Sequence, residues 1–453
     1  MRRRDGRRRR EGRTRREGRT RREGRRRHED RTRRADRTTR AGRRRRAERA
    51  EGAVMSATLE PDGTHQGVPA YHFDNRLGGP VLSHQERWDE MARTHAGFRS
   101  TIARGYWVVT EGEAVQKALQ DWRTFSNTSV TALDPDPRFL WIPEMLDPPQ
   151  HTAWRRLLGS AFSPKTVAAR EPEIREVASG LVDGLQGSGS ADVLDAFARR
   201  FPTLIFMRLM GLPEEDLARF LDWIHDLLHL SHREDPDGER QLSAMRAVSE
   251  YFEEQIAVRR DAPRDDLLSR AMSWTIDDEP ISDRDMHAFC ILLFQAGFDT
   301  VPISIGWALY HFATHPEQRR AIVENPELIP TAVEEILRVY SFVVPARKAT
   351  QDVEIGGCPV RAGEMVMLPL AVSNRDPERF EDPLEVDLRR KTSNHIAFGS
   401  GPHRCLGSHL ARLELNVAVE EWHKRIPDYR ITPGQDLEQH GNMYGIKQLR
   451  LEW

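Results

Sequence analysis

The stretch HIAFGSGPHRCLGSHLA, residues His395 to Ala411, decides how the whole chain is read. Cys405, one of only three cysteines, sits there between glycines and basic side chains, just ahead of a helical run. Gly399 and Gly401 permit positive φ and close backbone approach, and Pro402 stiffens the turn. In LGSHLARLELNVAVEEW, Leu410, Leu413 and Val417 share one helical face. A thiol at the start of that helix faces its positive end and unpaired N–H groups, which lower its pKa and favour thiolate. Gly407 removes side-chain bulk where a flat ligand could lie against the chain. Four readings compete. A lone cysteine is commonly a buried structural thiol. A Cys405–His403 nucleophile and base would need a sharp bend, with one residue between them. Cys405 with His403 and His409 fits no common zinc spacing. The fourth reading is a thiolate ligand to a metal centre.

Charge divides the 453-residue chain into two unlike parts. Met1–Val54 holds 26 Arg and 9 acidic residues, net +17, and the rest is net −18, so the overall value of −1 conceals both. RREGRT starts at Arg9 and again at Arg15, with the near copy RREGRR at Arg21. A period of six fits neither helix nor strand, and nothing there can be buried, so disorder is expected. We expect 1–54 to be an upstream extension of the reading frame, with Met55 as the start of the folded chain. A nucleic-acid or anionic-surface arm is the rival reading. Residues 55–453 are enough for one large domain or two. The acidic body argues against nucleic acid as a partner. No run approaches the ~20 apolar residues of a membrane span, and the tail lacks the apolar core of a secretory signal. Cys290, Cys358 and Cys405 suggest no disulfide framework. A soluble, reducing, cytoplasmic setting is therefore expected.

Helical periodicity dominates the body. It predicts helices from Arg87, from Glu113, from Ala168 to about Gly187, over Leu217–Leu230 and over Met245–Arg260. From Asp283 an apolar run of about 30 residues would extend roughly 45 Å as a helix. Being apolar nearly all round, it should be a buried central helix. Strands are expected at YWVVT from Tyr106 and around the glycine turns after Asp352. The fold class is mainly α with a small β region. Within the long run, AGFDT (Ala296–Thr300) places Asp299 and Thr300 in apolar surroundings that require a reason. Thr300 Oγ can bond the Ala296 carbonyl, and Pro302 cannot bond that of Phe298, so a kink is expected here.

Together these segments resemble the cytochrome P-450 family, over nearly all of 70–453 and with the motifs in family order. FGSGPHRCLG matches its haem-binding signature, Phe-Gly-x-Gly-x-His-x-Cys-x-Gly, at six named positions, on Phe398, Gly399, Gly401, His403, Cys405 and Gly407. The resemblance implies haem b with Cys405 as the proximal thiolate ligand, whose electron donation favours O–O cleavage. It implies a P-450 fold with the long helix from Asp283 crossing over the haem, and places Ala296 among the cofactor-binding residues. It assigns His403, and also His151 and Arg155 of DPPQHTAWRRLL and Arg347 of VPARKAT, to the haem propionates. Read alone, His151 and Arg155 would be a solvated helix face. Asp299 and Thr300 match the family's acid–alcohol pair, which delivers protons during oxygen activation. Glu335 and Arg338 of EEILR match its structural Glu-x-x-Arg, otherwise a surface ion pair worth under ~1 kcal/mol. Arg389 or Arg390 would complete that network.

The implied activity is hydroxylation of a small apolar, terpenoid-like substrate by a soluble bacterial monooxygenase. FPTLIFMRLMGLPEED from Phe201 and the terminal Trp453 resemble the terpenoid hydroxylases, of which the camphor enzyme is the familiar case. Carried over by resemblance, Phe139, Trp141, Leu292, Gln295, Phe342 and Val343 line the substrate pocket; plain core packing is the competing account. Phe139 and Gln295 depart from the camphor enzyme, where a phenol and an aliphatic residue stand, so its bond to camphor does not carry over. No flavin or nicotinamide domain is present, which implies electrons from a ferredoxin and its NAD(P)H reductase. Arg155, Arg156, Arg404 and Arg412 would form a basic surface attracting an acidic ferredoxin. A peroxide-driven peroxygenase or a non-catalytic haem sensor would not need Asp299 and Thr300.

Overall fold

The computed structural model describes residues 62–230, 234–235, 237–391, 394–441 and 443–453. The Arg-rich segment and the expected start at Met55 lie outside them. Twelve helices of eight or more residues occur among the described residues. In chain order they are α1 Ser83–Thr94, α2 Gly112–Gln120, α3 Gln150–Gly159, α4 Glu171–Leu185, α5 Arg200–Met210 and α6 Leu217–Ile224. There follow α7 Glu239–Asp261, α8 Asp283–Phe298, α9 Thr300–Thr314, α10 Pro316–Glu324, α11 Ile329–Val339 and α12 Ser408–Arg425. Each segment expected to be helical is helical, with shifted ends. The Leu217–Leu230 segment relaxes after Ile224 into a π-type turn, His225–His229, which changes where its last side chains point.

Seven short strands form one mixed sheet: β1 Gly63–His65, β2 Val68–Tyr71, β3 Gly97–Ser100, β4 Tyr106–Val109, β5 Phe125–Ser126, β6 Ala346–Ala349 and β7 Met365–Met367. Their order is β1-β2-β3-β4-β7-β6-β5, with parallel pairing at β2–β3 and β4–β7. All four residues of β4 are buried, so YWVVT reads as a continuous apolar run, not an alternating one. Arg347 in β6 sits opposite Val366 of β7, which fixes a cation inside this otherwise apolar layer.

The long central helix is present and interrupted where a kink is expected. Ser282 caps α8 through the Asp285 N–H at 3.1 Å, with Asp283 and Asp285 in the first turn. The helix then breaks at one residue, Asp299, whose φ of −116° lies outside the helical range. Pro302 cannot donate to the Phe298 carbonyl, and Thr300 Oγ bonds Ala296 O at 3.3 Å, so the ladder opens here. Beyond the break, α9 is buried almost throughout, including Trp307 and Phe312 at 0% exposure. One correction concerns span length. Asp283–Thr314 is by length and hydropathy apolar enough to cross a membrane, although 72% of its apolar window is buried within the fold.

Glu335 and Arg338 are likewise not a surface pair. Both side chains have 0% exposure. Arg338 makes two 2.8 Å bonds to the Glu335 carboxylate, and donates to the carbonyls of Asn374, Pro383 and Glu385 at 3.0, 2.6 and 2.7 Å. Arg390 completes the network as an ion pair with Glu335 at 2.9 Å. The pair thus ties α11 to the meander ahead of the cysteine loop.

Candidate active site

The cysteine loop is shaped by its glycines. Gly399 and Gly401 have φ of +73° and +71°. A Cβ on Gly401 would fall 2.8 Å from Gln120 Cα and against the Leu119 carbonyl, so the loop packs directly on α2. The Cys405 N–H closes the loop on the Phe398 carbonyl at 2.7 Å. The Phe398 ring lies under the Arg412 guanidinium at 4.4 Å, and Arg412 is fixed bidentately on Glu334 at 2.6 and 2.9 Å. Cys405 is exposed to solvent-sized space while surrounded deeply by protein, as a side chain lining an internal hollow is. The other two thiols, Cys290 and Cys358, are buried, and burial pushes Cys358 up to about 12 and Cys290 further.

The expected depression of the Cys405 pKa is not what the protein alone produces. Burial raises it, and the Gly407 N–H, Arg155 and Arg404 offset this only in part. The desolvation of a buried thiolate exceeds what one helix end supplies; a bound cation would have to tip the balance. No cluster of three or more His, Cys, Asp or Glu that could hold a metal occurs among the described residues. Any metal here would have to bring its other ligands with it, as a porphyrin does.

Beside the loop, basic and imidazole groups gather, offset only in part by the carboxylates of Glu144 and Asp147. The rings of His151 (α3) and His403 are 3.9 Å apart. His403 Nδ1 lies 3.3 Å from Asn127 Nδ2, but its buried Nε2 has no partner. Arg347 is 4% exposed and donates to its neighbour's carbonyl, Ala346 O, at 2.8 Å. Arg155 donates to Arg404 O at 2.7 Å. Burial, His151, Arg347 and Arg155 drive His403 down to about 2; burial, Arg155 and Arg347 drive His151 to about 4. Burial also lowers Arg347. A buried orphan polar atom costs about 1–3 kcal/mol, and a buried guanidinium seeks a carboxylate. Two carboxylates arriving with a ligand would satisfy this cluster, so the residues present fit a haem with its propionates.

On α8, Ala296 is exposed although Phe294 and Phe298 are each 1% exposed, so one helix face opens on a hollow. Thr300 is partly exposed, and its 3.3 Å bond to Ala296 O is long enough to be exchanged cheaply for another partner. Asp299 is 3% exposed and bonded through Oδ1 to His229 Nε2 at 2.8 Å. Sequence reading missed this histidine, whose one signal was its place in the apolar LARFLDWIHDLLHL run. Of the expected pocket residues, Phe342 is buried, while Leu292, Gln295, Trp141 and Val343 are partly buried. Phe139 is placed at the surface, 46% exposed, with its ring stacked on Trp141 at 4.9 Å. Arg156 and Arg404 are exposed, whereas Arg412 is neutralised by Glu334.

The cytochrome P-450 family profile matches residues 85–422. The mycinamicin IV hydroxylase/epoxidase of Micromonospora griseorubida is 34% identical over 397 residues, covering 85% of this chain and 94% of that protein. The vitamin D(3) 25-hydroxylase of Pseudonocardia autotrophica is 34% identical over 340 residues, covering 73% and 83%. The crystal structure of CYP101J2 superposes with a TM-score of 0.76 at 32% identity, covering 87% of this chain and 99% of that one.

Proposed function

Because the chain belongs to the cytochrome P-450 family, and so is a haem b monooxygenase, we propose that residues 55–453 form a cytoplasmic hydroxylase of a small apolar, terpenoid-like substrate. The observation that carries the site assignment is the anion-seeking cluster of His151, His403, Arg155 and Arg347 beside the Cys405 loop.

In this reading Cys405 is the iron ligand, and the haem bound through it supplies oxygen activation with two electrons and two protons. His151, Arg155, Arg347 and His403 hold its propionates. Phe398, Gly399 and Gly407 shape its proximal face, and Ala296 leaves room on the other. Asp299 and Thr300 bring protons to the reaction side of α8. Glu335 and Arg338 hold the meander in place. Leu292, Gln295, Phe342 and Val343, with Trp141 and the outlying Phe139, form the apolar pocket, where Gln295 offers one orienting hydrogen bond. Exposed Arg156 and Arg404 support docking of an acidic ferredoxin, itself reduced by an NAD(P)H reductase.

The decisive measurement is the carbon monoxide difference spectrum of the reduced protein. A thiolate-type band is expected, lost in Cys405→Ser and kept in Cys290→Ser. A Cys405→Ser protein with the wild-type band would overturn the assignment. Terpenoids should shift the ferric spin state at micromolar concentration, and a panel with no such ligand would refute the substrate class.

A further inference from the structure

Asp299 does not open directly to solvent. Between the α8–α9 break and the C-terminal loop lies a small cavity of about 20 Å³, with Arg199, His229, Asp299 and His440 among its walls. The side chains of His229 and Asp299 are 6% and 4% exposed. Among the described residues, three buried polar atoms here have no partner: His229 Nδ1, Asp299 Oδ2 and His440 Nε2. The His229 and His440 rings lie 4.4 Å apart. A polar space of this size takes about one water, given two to four polar partners, and the walls provide them.

We propose that His229 is the proton gate of this enzyme, passing protons from water in the Arg199–His440 cavity to Asp299. This rests on the haem monooxygenase reading and assigns two residues that neither the motifs nor the relatives point to. A proton taken up at His229 Nδ1 and one released from Nε2 to Asp299 Oδ1 conserve charge. An O–H bond of a protonated cavity water breaks as the Nδ1–H bond forms, and the Nε2–H bond breaks as an O–H bond forms on the carboxyl; exchange of the ring tautomer through water then resets the gate. His229 acts through Asp299 and is a positioning residue, not a catalytic one.

The π-type turn makes this possible, because it turns His229 from the α6 face toward α9. Among the described residues, the groups facing it are these. From its own turn come His225, with a ring 6.4 Å away, and Asp226, which is paired with Arg240 of α7 at 2.5 Å. Arg199 is held by Asp195 and by the Lys447 carbonyl. From the C-terminal loop come His440 and Lys447, the latter paired with Glu438 at 2.8 Å. Asp299 lies at the break. Burial, then His229 and Arg199, drive His440 down to about 2, so it stays neutral and can relay through its lone pair. His229 is the imidazole of the pair that bonds the carboxylate directly, at 2.8 Å.

The test uses the full chain with haem. His229→Gln keeps a donor for Asp299 but cannot relay. It should retain the thiolate-type spectrum and the substrate spin shift, slow coupled turnover about 10- to 100-fold, and remove one ionisation from the pH–rate profile. A normal spectrum with an unaltered turnover rate and pH–rate profile in His229→Gln overturns the gate alone. A wild-type chain with no thiolate-type spectrum overturns the haem reading and the gate with it.

Discussion

Replacing Arg338 by Met tests the physical account of the meander. The substitution leaves the Glu335 carboxylate at 0% exposure with its two 2.8 Å donors gone. It also strips the donor from the carbonyls of Asn374, Pro383 and Glu385. Arg390 at 2.9 Å and the Asp387 N–H at 3.2 Å remain on the carboxylate, which spares part of the cost. Breaking one side of a buried pair costs about 3–5 kcal/mol, or roughly 10²- to 10⁴-fold in the folding equilibrium. That is a large share of a stability of about 5–15 kcal/mol. Urea unfolding followed by tryptophan fluorescence measures the loss, and haem content reports on the cysteine loop. The double variant Glu335→Met, Arg338→Met removes the stranded charge and should recover part of the loss. A single-variant cost under ~1 kcal/mol, as for an exposed pair, or a double variant no better than the single, would refute the buried-charge account.

Gly401→Ala places a methyl group 2.8 Å from Gln120 Cα at φ +71°, so weaker haem retention is expected together with about 1–3 kcal/mol lower stability; pyridine haemochrome content and unfolding midpoints measure both. Thr300→Ala removes the hydroxyl on Ala296 O, and reducing equivalents should appear as hydrogen peroxide while the substrate spin shift is kept; unchanged coupling would remove Thr300 from its role. Burial raises Glu334, but hydrogen bonds from His395 and Arg412 outweigh it and hold the carboxyl at about 2. Its folded pKa is thus depressed, so this stabilisation is complete above about 4.5 and is lost as pH falls toward 2. Glu334→Gln should flatten that part of an acid-unfolding curve.

Local chemistry was legible in the sequence because it lies in short, contiguous patterns. The Phe398–Gly407 loop needs its glycines for positive φ, and the AGFDT break follows from Pro302 and Asp299 themselves. Helical segments showed for the same reason, since period and caps are properties of neighbouring residues. Their ends were less legible: the π-type turn at His225–His229 depends on what packs against α6. Distant pairings were invisible. Arg389 and Arg390 looked alike until the fold placed Arg390 on Glu335, and only the fold showed how fully the Glu335–Arg338 pair, expected to be structural, is buried.

The sequence by itself determined the family and the haem chemistry, and pointed to the Cys405 loop, because these depend on side-chain identity at fixed spacing. Only the tertiary structure decided which charges lose water. Burial left Arg347 and His403 in want of an anion, raised the Cys405 thiol instead of lowering it, and set His229 against Asp299 across 70 residues of chain. Desolvation is a property of everything packed around a group, and no stretch of sequence carries it.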